Sequence, residues 1–190
     1  LAKNAGIDVP EWRLTKDAII IKRFDRKKQM RIPFLSAMSM LGAGDNDSGH
    51  SYLEIADAIT QYGASPKNDL RELWRRIVFS IFISNTDDHL RNHAFLYEIG
   101  RGWKLSPAYD LNPSPYGKKA LSLNISETDN SLSLELALSV MNYFQLSAKD
   151  ARNIMEEVKL SVKNWKNVAT DLGVNSREIK IMKYAILDEL

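Results

Sequence analysis

The chain has 190 residues, enough for one well-buried domain or one lobe of a larger protein, and its 44% hydrophobic and 26% charged content is that of a compact globular body. Its 26 basic and 24 acidic side chains leave a formal net charge of +2, too little for non-specific capture of phosphate backbones, so direct nucleic-acid binding is not expected. Cysteine is absent, which excludes disulfides and thiolate metal sites and agrees with a reducing cytoplasm.

The chain starts with Leu1-Ala2-Lys3-Asn4-Ala5-Gly6, read as the last turn of a helix closed by Gly6. It carries neither an initiator methionine nor a secretory signal, so the chain is expected to begin inside a longer protein. Pro10 to Leu14 and Ala18 to Phe24 read as strands around a Thr15-Lys16-Asp17 turn, and the run Ile19-Ile20-Ile21 predicts a buried second strand. Arg26-Lys27-Lys28 reads as a solvated turn. Pro33 is expected to open an apolar helix through Leu41 that Gly42 ends. Residues 43–49 form a loop whose spaced acids imitate a calcium site, but an EF-hand counted from Asp45 needs glutamate where Ala56 stands.

Ser51 to Tyr62 predicts a helix stopped by Gly63, and Ser65-Pro66 supplies an N-cap and first-position proline for the next. In that helix Leu70, Leu73, Trp74, Ile77, Val78, Ile81 and Phe82 recur at the helical period, which makes it the expected core helix. The apolar stretch Ile77 to Ile83 is interrupted by Ser80 and is far shorter than the roughly 20 residues that span a bilayer, so no membrane association is expected. Ala94 to Glu98 and Trp103 to Leu105 read as a hairpin around Gly100-Arg101-Gly102, with Trp103 and Tyr109 as core aromatics. From Leu132 onward the pattern is helical, with starts at Ser147 and at Asn175-Ser176. The fold class expected is mainly α within α+β.

The chemistry concentrates in Asn85-Thr86-Asp87-Asp88-His89-Leu90-Arg91-Asn92. On a helix, Asp87 and Asn92 would point about 140° apart, so a shared site requires a loop. The spacing Asp-x-x-x-x-Asn is that of a kinase catalytic loop, in which the aspartate accepts the substrate hydroxyl proton and the asparagine oxygen binds magnesium. Asp87 can equally be a turn residue after a helix, and the spacing alone does not decide. Asp110, beyond a hairpin able to return beside the loop, stands where a second metal-binding aspartate is needed. Asp88 reads as an outward or orienting neighbour, and His89 as an imidazole that hydrogen-bonds within the loop and fixes its shape. His93 reads as a strand-entry residue, His50 as a loop residue, and Arg91 as a solvated cation paired with a carboxylate.

Together with Ser106-Pro107-Ala108-Tyr109-Asp110-Leu111-Asn112-Pro113 and Arg23-Phe24-Asp25-Arg26, the loop resembles the three signatures of the HipA serine/threonine kinase family. The resemblance implies a kinase-like C-lobe preceded by the last strands and hinge of an N-lobe, dividing the chain into residues 1–26 and 27–190. It implies Asp87 as catalytic base assisted by His89, magnesium at Asn92 and Asp110, and ATP against Ile21, Lys22 and Phe24. It further implies the toxin of a toxin–antitoxin pair, acting on proteins of the aminoacyl-tRNA synthetase class. A helix-turn-helix antitoxin is the implied partner, with DNA reached only through it.

The family's glycine-rich phosphate loop and strand lysine lie upstream of Leu1, and Gly42-Ala43-Gly44 lacks the third glycine needed to replace them. The chain by itself is therefore expected to bind ATP weakly or not at all. Two competing readings stand at this point: a kinase-like binding module without activity, and a metal-dependent phosphohydrolase using Asp87, Asp88, His89 and Asp110.

Overall fold

The chain begins with a hydrogen-bonded turn in which Ala5 donates to Leu1, and Gly6 takes the left-handed backbone expected of it (φ 77°). Two short antiparallel hairpins follow, β1 (Trp12–Leu14) with β2 (Ile19–Ile21) and β3 (Arg26–Lys27) with β4 (Met30–Arg31). Next come β5 (Phe34–Ser36) and the helices α1 (Ala37–Leu41), α2 (Tyr52–Tyr62) and α3 (Pro66–Phe82). The strands β6 (Ala94–Glu98) and β7 (Gly102–Leu105) complete a three-stranded antiparallel sheet ordered β5-β6-β7. Helices α4 (Leu134–Ser139), α5 (Ala148–Lys163), α6 (Trp165–Asp171) and α7 (Ser176–Met182) finish the α+β body. This computed structural model describes residues 1–16, 18–45, 47–116 and 120–187, so Asp17 of the expected first turn and Asn46 of the 43–49 loop lie outside the described residues. Among those described, no helix is long and apolar enough to cross a membrane.

The stripe on α3 is buried along its length and forms the centre of the core. α5 packs Ile154, Val158 and Val162 against it, and the indole of Trp74 donates to the Ala137 carbonyl of α4 at 3.2 Å. Its polar positions fasten the rest of the chain. Arg75 donates to the Ala5 carbonyl (2.7 Å) and pairs with Glu157 of α5, while Asp69 accepts from the Leu105 amide (3.0 Å). Arg76, only 1% exposed, pairs with Glu72 and donates to the Ser106 carbonyl at 2.8 Å. One helix thereby fixes both the core and the exit of the β6–β7 hairpin.

Several local expectations are corrected. Pro33 opens no helix; residues 34–36 pair instead with β6, Phe34 facing Leu96, a long-range contact that local residue types cannot announce. Ile19, Ile20 and Ile21 are 58%, 43% and 45% exposed, because the β1–β2 ribbon has no layer on either face among the described residues. The basic run at 26–28 is part of the β3–β4 hairpin rather than a bare turn, with Lys28 in the left-handed region (φ 56°). Ser65 caps α3 through its carbonyl and not its side chain, whereas Ser51 and Glu54 form the full capping box of α2.

Because Ile77 lies fully buried in the middle of α3, Ile77→Ala is expected to cost about 2–5 kcal/mol of unfolding free energy, read from the midpoint of urea denaturation.

Candidate active site

Helix α3 ends in a Schellman turn with a non-glycine residue at its left-handed position: Ser84 has φ 47°, its amide donates to Ile81, and the Asn85 amide reaches back to Ser80 at 2.8 Å. A serine there stores conformational strain of about 1 kcal/mol or more, of the kind that gathers at functional sites. From here the chain makes a turn through Thr86 and Asp87, the Asp88 amide donating to the Asn85 carbonyl, and passes through an extended His89 (φ −122°, ψ 171°) into a 3-10 turn, Leu90–Asn92, so the motif is a loop as its spacing requires.

The loop is pinned from beneath by Asp88. Its carboxylate is 1% exposed, accepts from the Tyr52 hydroxyl of α2 (2.7 Å) and the Ser80 hydroxyl of α3 (3.3 Å), and lies 3.0 Å from His93 Nε2. The histidine contact is ionic in distance but off the line of an ideal hydrogen bond. Burial works against the Asp88 anion, yet the His93 imidazole and the two hydroxyls outweigh it and hold the carboxyl below the usual aspartate range. Burial and the Asp88 charge push the Tyr52 phenol well up, so it remains a donor. Asp88 is thus the orienting residue, and it points inward, not outward as the alternative had it. Its neighbour Asp87 is exposed, and its carboxylate has no hydrogen bond or ion pair to any described residue.

Asn92 is buried and donates from Nδ2 to the Asp87 carbonyl (3.3 Å), which turns Oδ1 away and leaves it open as a ligand. Across from it, the Tyr109 hydroxyl donates to the Arg91 carbonyl at 2.7 Å, and the Ser114 amide to the Ser84 carbonyl at 3.2 Å. These two bonds tie the segment around Asp110 to the loop at Arg91 and at Ser84. Asp110 is exposed and left-handed (φ 58°), and its Oδ1 accepts from Asn112 Nδ2 at 2.5 Å. The Ser122 hydroxyl adds a third tie, donating to the Thr86 carbonyl at 2.9 Å. Burial raises the Tyr109 phenol to about 12, which keeps it protonated.

Of the hinge candidates, Ile21 and Lys22 are exposed, Lys22 pairing with Glu11, while the half-buried Phe24 stacks on Tyr109 at 5.9 Å. The acid of that signature, Asp25, pairs with Arg23 and Arg26.

The sequence model of the HipA-like C-terminal domain matches residues 1–165. The chain belongs to that family. Among curated relatives it is 34% identical over 136 residues to a protein provisionally named a kinase in Haemophilus influenzae, covering 61% of this chain and 39% of that protein. It is 31% identical over 148 residues to another so named in Sinorhizobium fredii, covering 67% and 36% respectively. The chain thus spans well under half the length of these relatives. Among solved structures it superposes on Shewanella oneidensis HipA, determined with HipB and its operator DNA, with a TM-score of 0.76 at 15% identity over 97% of this chain and 50% of that one. Helicobacter pylori CtkA, a proinflammatory kinase, gives 0.52 at 12% identity over 83% and 78%. At those identities the likeness is one of fold.

Within this HipA-like domain the candidate residues fall into two groups. The ties from Tyr109, Ser114 and Ser122 join the segment that carries Asp110 to the loop that carries Asp87 and Asn92, and the oxygens those residues offer, an amide oxygen and the remaining carboxylate oxygen of Asp110, are the hard donors magnesium prefers. A single amide oxygen and a single carboxylate oxygen would suit a metal that keeps waters and phosphate oxygens as its other ligands. His89 behaves differently from expectation: its Nδ1 is buried with no hydrogen-bond partner among the described residues, because His93 takes the place beside Asp88. His50 pairs with Glu54 at the start of α2, and Arg91 pairs with Asp45, as its solvated reading foresaw.

The residues missed in the sequence are the supports: Tyr52, Ser80, His93 and the tether role of Tyr109. Ser80 was the available signal, a hydroxyl inside an otherwise apolar helical stripe.

Removing the anchor leaves the His93 imidazole and two hydroxyls buried without their acceptor, so Asp88→Ala is expected to cost about 3–5 kcal/mol in denaturant unfolding. Since the folded Asp88 carboxyl sits below its unfolded value, its contribution is full above about pH 4 and is lost as the pH falls further. The variant should accordingly show a flatter acid limb in stability measured between about pH 5 and pH 2.

Proposed function

We propose that this HipA-like domain is the catalytic lobe of a serine/threonine kinase toxin that transfers the γ-phosphoryl group of Mg-ATP to a protein of the aminoacyl-tRNA synthetase class. The observation that carries the reading is the Tyr109–Arg91 hydrogen bond, which binds the Asp110 segment to the loop bearing an unencumbered Asp87 and an inward Asn92. On this reading Asp87 accepts the proton of the attacking hydroxyl while its oxygen bonds to the γ-phosphorus and the bond to the β-phosphate oxygen breaks, releasing ADP. Asn92 through Oδ1 and Asp110 through Oδ2 would hold magnesium, which when bound neutralises charge on the phosphate oxygens. His89 belongs to the same loop and would assist Asp87 by fixing the loop's shape.

Residues 1–26 would form the end of the N-lobe sheet and the hinge, and residues 27–190 the C-lobe. The uncovered faces of the β1–β2 ribbon fit a strand pair belonging to a larger sheet, with Ile21, Lys22 and Phe24 bordering the adenine. Two provisionally named kinases among the relatives support the activity, and the HipA structure solved with HipB and operator DNA supports a helix-turn-helix antitoxin as partner, with DNA met through it in the cytoplasm.

Asp87→Ala in the full-length protein is expected to slow phosphoryl transfer by about 10²- to 10⁴-fold while leaving Mg-ATP affinity within a few-fold. Undiminished autophosphorylation of that variant would reject Asp87 as the base.

A further inference from the structure

Tyr109 makes two contacts that point in different directions from one side chain. Its hydroxyl reaches the Arg91 carbonyl in the catalytic loop at 2.7 Å, and its ring stacks on Phe24 of the hinge signature, with centroids 5.9 Å apart and planes 24° apart. Phe24 in turn lies 6.2 Å from the ring of Phe34, which β5 anchors to the central sheet through its pairing with Leu96. The very next residue, Asp110, holds a left-handed backbone that a non-glycine residue keeps only when its surroundings enforce it. Two tethers flank that strained position, the Tyr109 hydroxyl on one side and the Ser114 amide on Ser84 on the other.

We propose that Tyr109 is a positioning residue that couples the nucleotide hinge to the metal-binding aspartate: its hydroxyl holds Asp110 in register with Asn92, and its ring transmits the position of Phe24 to that pair. The inference rests on the kinase reading and adds to it a physical link between two parts of the site that would otherwise respond to nucleotide and to metal independently. A tyrosine is required because each half of the link uses a different part of the residue. Phenylalanine keeps the stack and loses the tether, while leucine at position 24 keeps the tether and loses the stack. Neither change alters a group that touches the phosphates or the reacting hydroxyl.

The test is calorimetric titration of the full-length protein with a non-hydrolysable ATP analogue, with and without magnesium, for wild type, Tyr109→Phe, Phe24→Leu and the double variant. The quantity read is the factor by which magnesium tightens nucleotide binding. Tyr109→Phe is expected to lower that factor roughly 3- to 10-fold, the worth of one net hydrogen bond, with magnesium-free affinity unchanged. Phe24→Leu is expected to lower both the magnesium-free affinity and the magnesium factor, and the two changes together should lower the factor by less than the product of the single effects. A Tyr109→Phe protein that melts with the wild type and keeps the full magnesium factor would overturn the coupling and leave the kinase reading standing. Strictly multiplicative effects in the double variant would overturn the ring's part in it. A wild type whose nucleotide binding gains nothing from magnesium would overturn both the coupling and the reading beneath it.

Discussion

The buried carboxylate of Asp88 is the constraint from which the geometry of the loop follows. A charge at 1% exposure is tolerable only when its oxygens are occupied, and here Tyr52 from α2, Ser80 from α3 and His93 at the entry to β6 occupy them. Three separate elements are thereby tied to one side chain. Asp87 stands in the turn just before Asp88 and is exposed, so of two adjacent aspartates one is an anchor and the other free, a difference that lies in their surroundings and not in residue type.

A second set of bonds closes on the same loop from the other side. Helix α3 directs it: Asp69 and Arg76 hold Leu105 and Ser106, and the chain leaving β7 is launched from there toward Tyr109. Tyr109, Ser114 and Ser122 then each bond to a carbonyl of residues 84–91. Backbone carbonyls in a loop need partners, and these three ties supply them while fastening residues 109–122 to the loop at three points. Of the two left-handed non-glycine residues nearest the site, Ser84 accepts one of these ties and Asp110 directly follows the residue that makes another. Strain held in place by hydrogen bonds keeps a loop from relaxing when no ligand is bound.

The agreement with HipA over nearly the whole of this chain, at 15% identity, follows from what the scaffold needs. A helix with one buried stripe, a short sheet beside it and a loop between them can be built from many apolar residues, provided volume and period are kept. The loop is less tolerant, since its carboxylates and amide each face a particular donor or void.

The periodicity of residues 70–82, the glycine that ends α1, the serine and glycine that bound α2, and the five-residue offset between Asp87 and Asn92 were all legible locally, because each depends on neighbours within a turn or two. The chain by itself thus determined the core helix and the hairpin at 94–105, and it nominated the residues of the candidate site. Only the tertiary structure decided which aspartate is buried, since Asp87 and Asp88 are identical as residues and differ in what α2 and α3 present to them. It likewise decided that residues 34–36 are strand, through pairing with β6, and that Ile19 to Ile21 stand uncovered. Pairing partners and covering layers come from residues far away in the chain, and no local pattern of side chains specifies them.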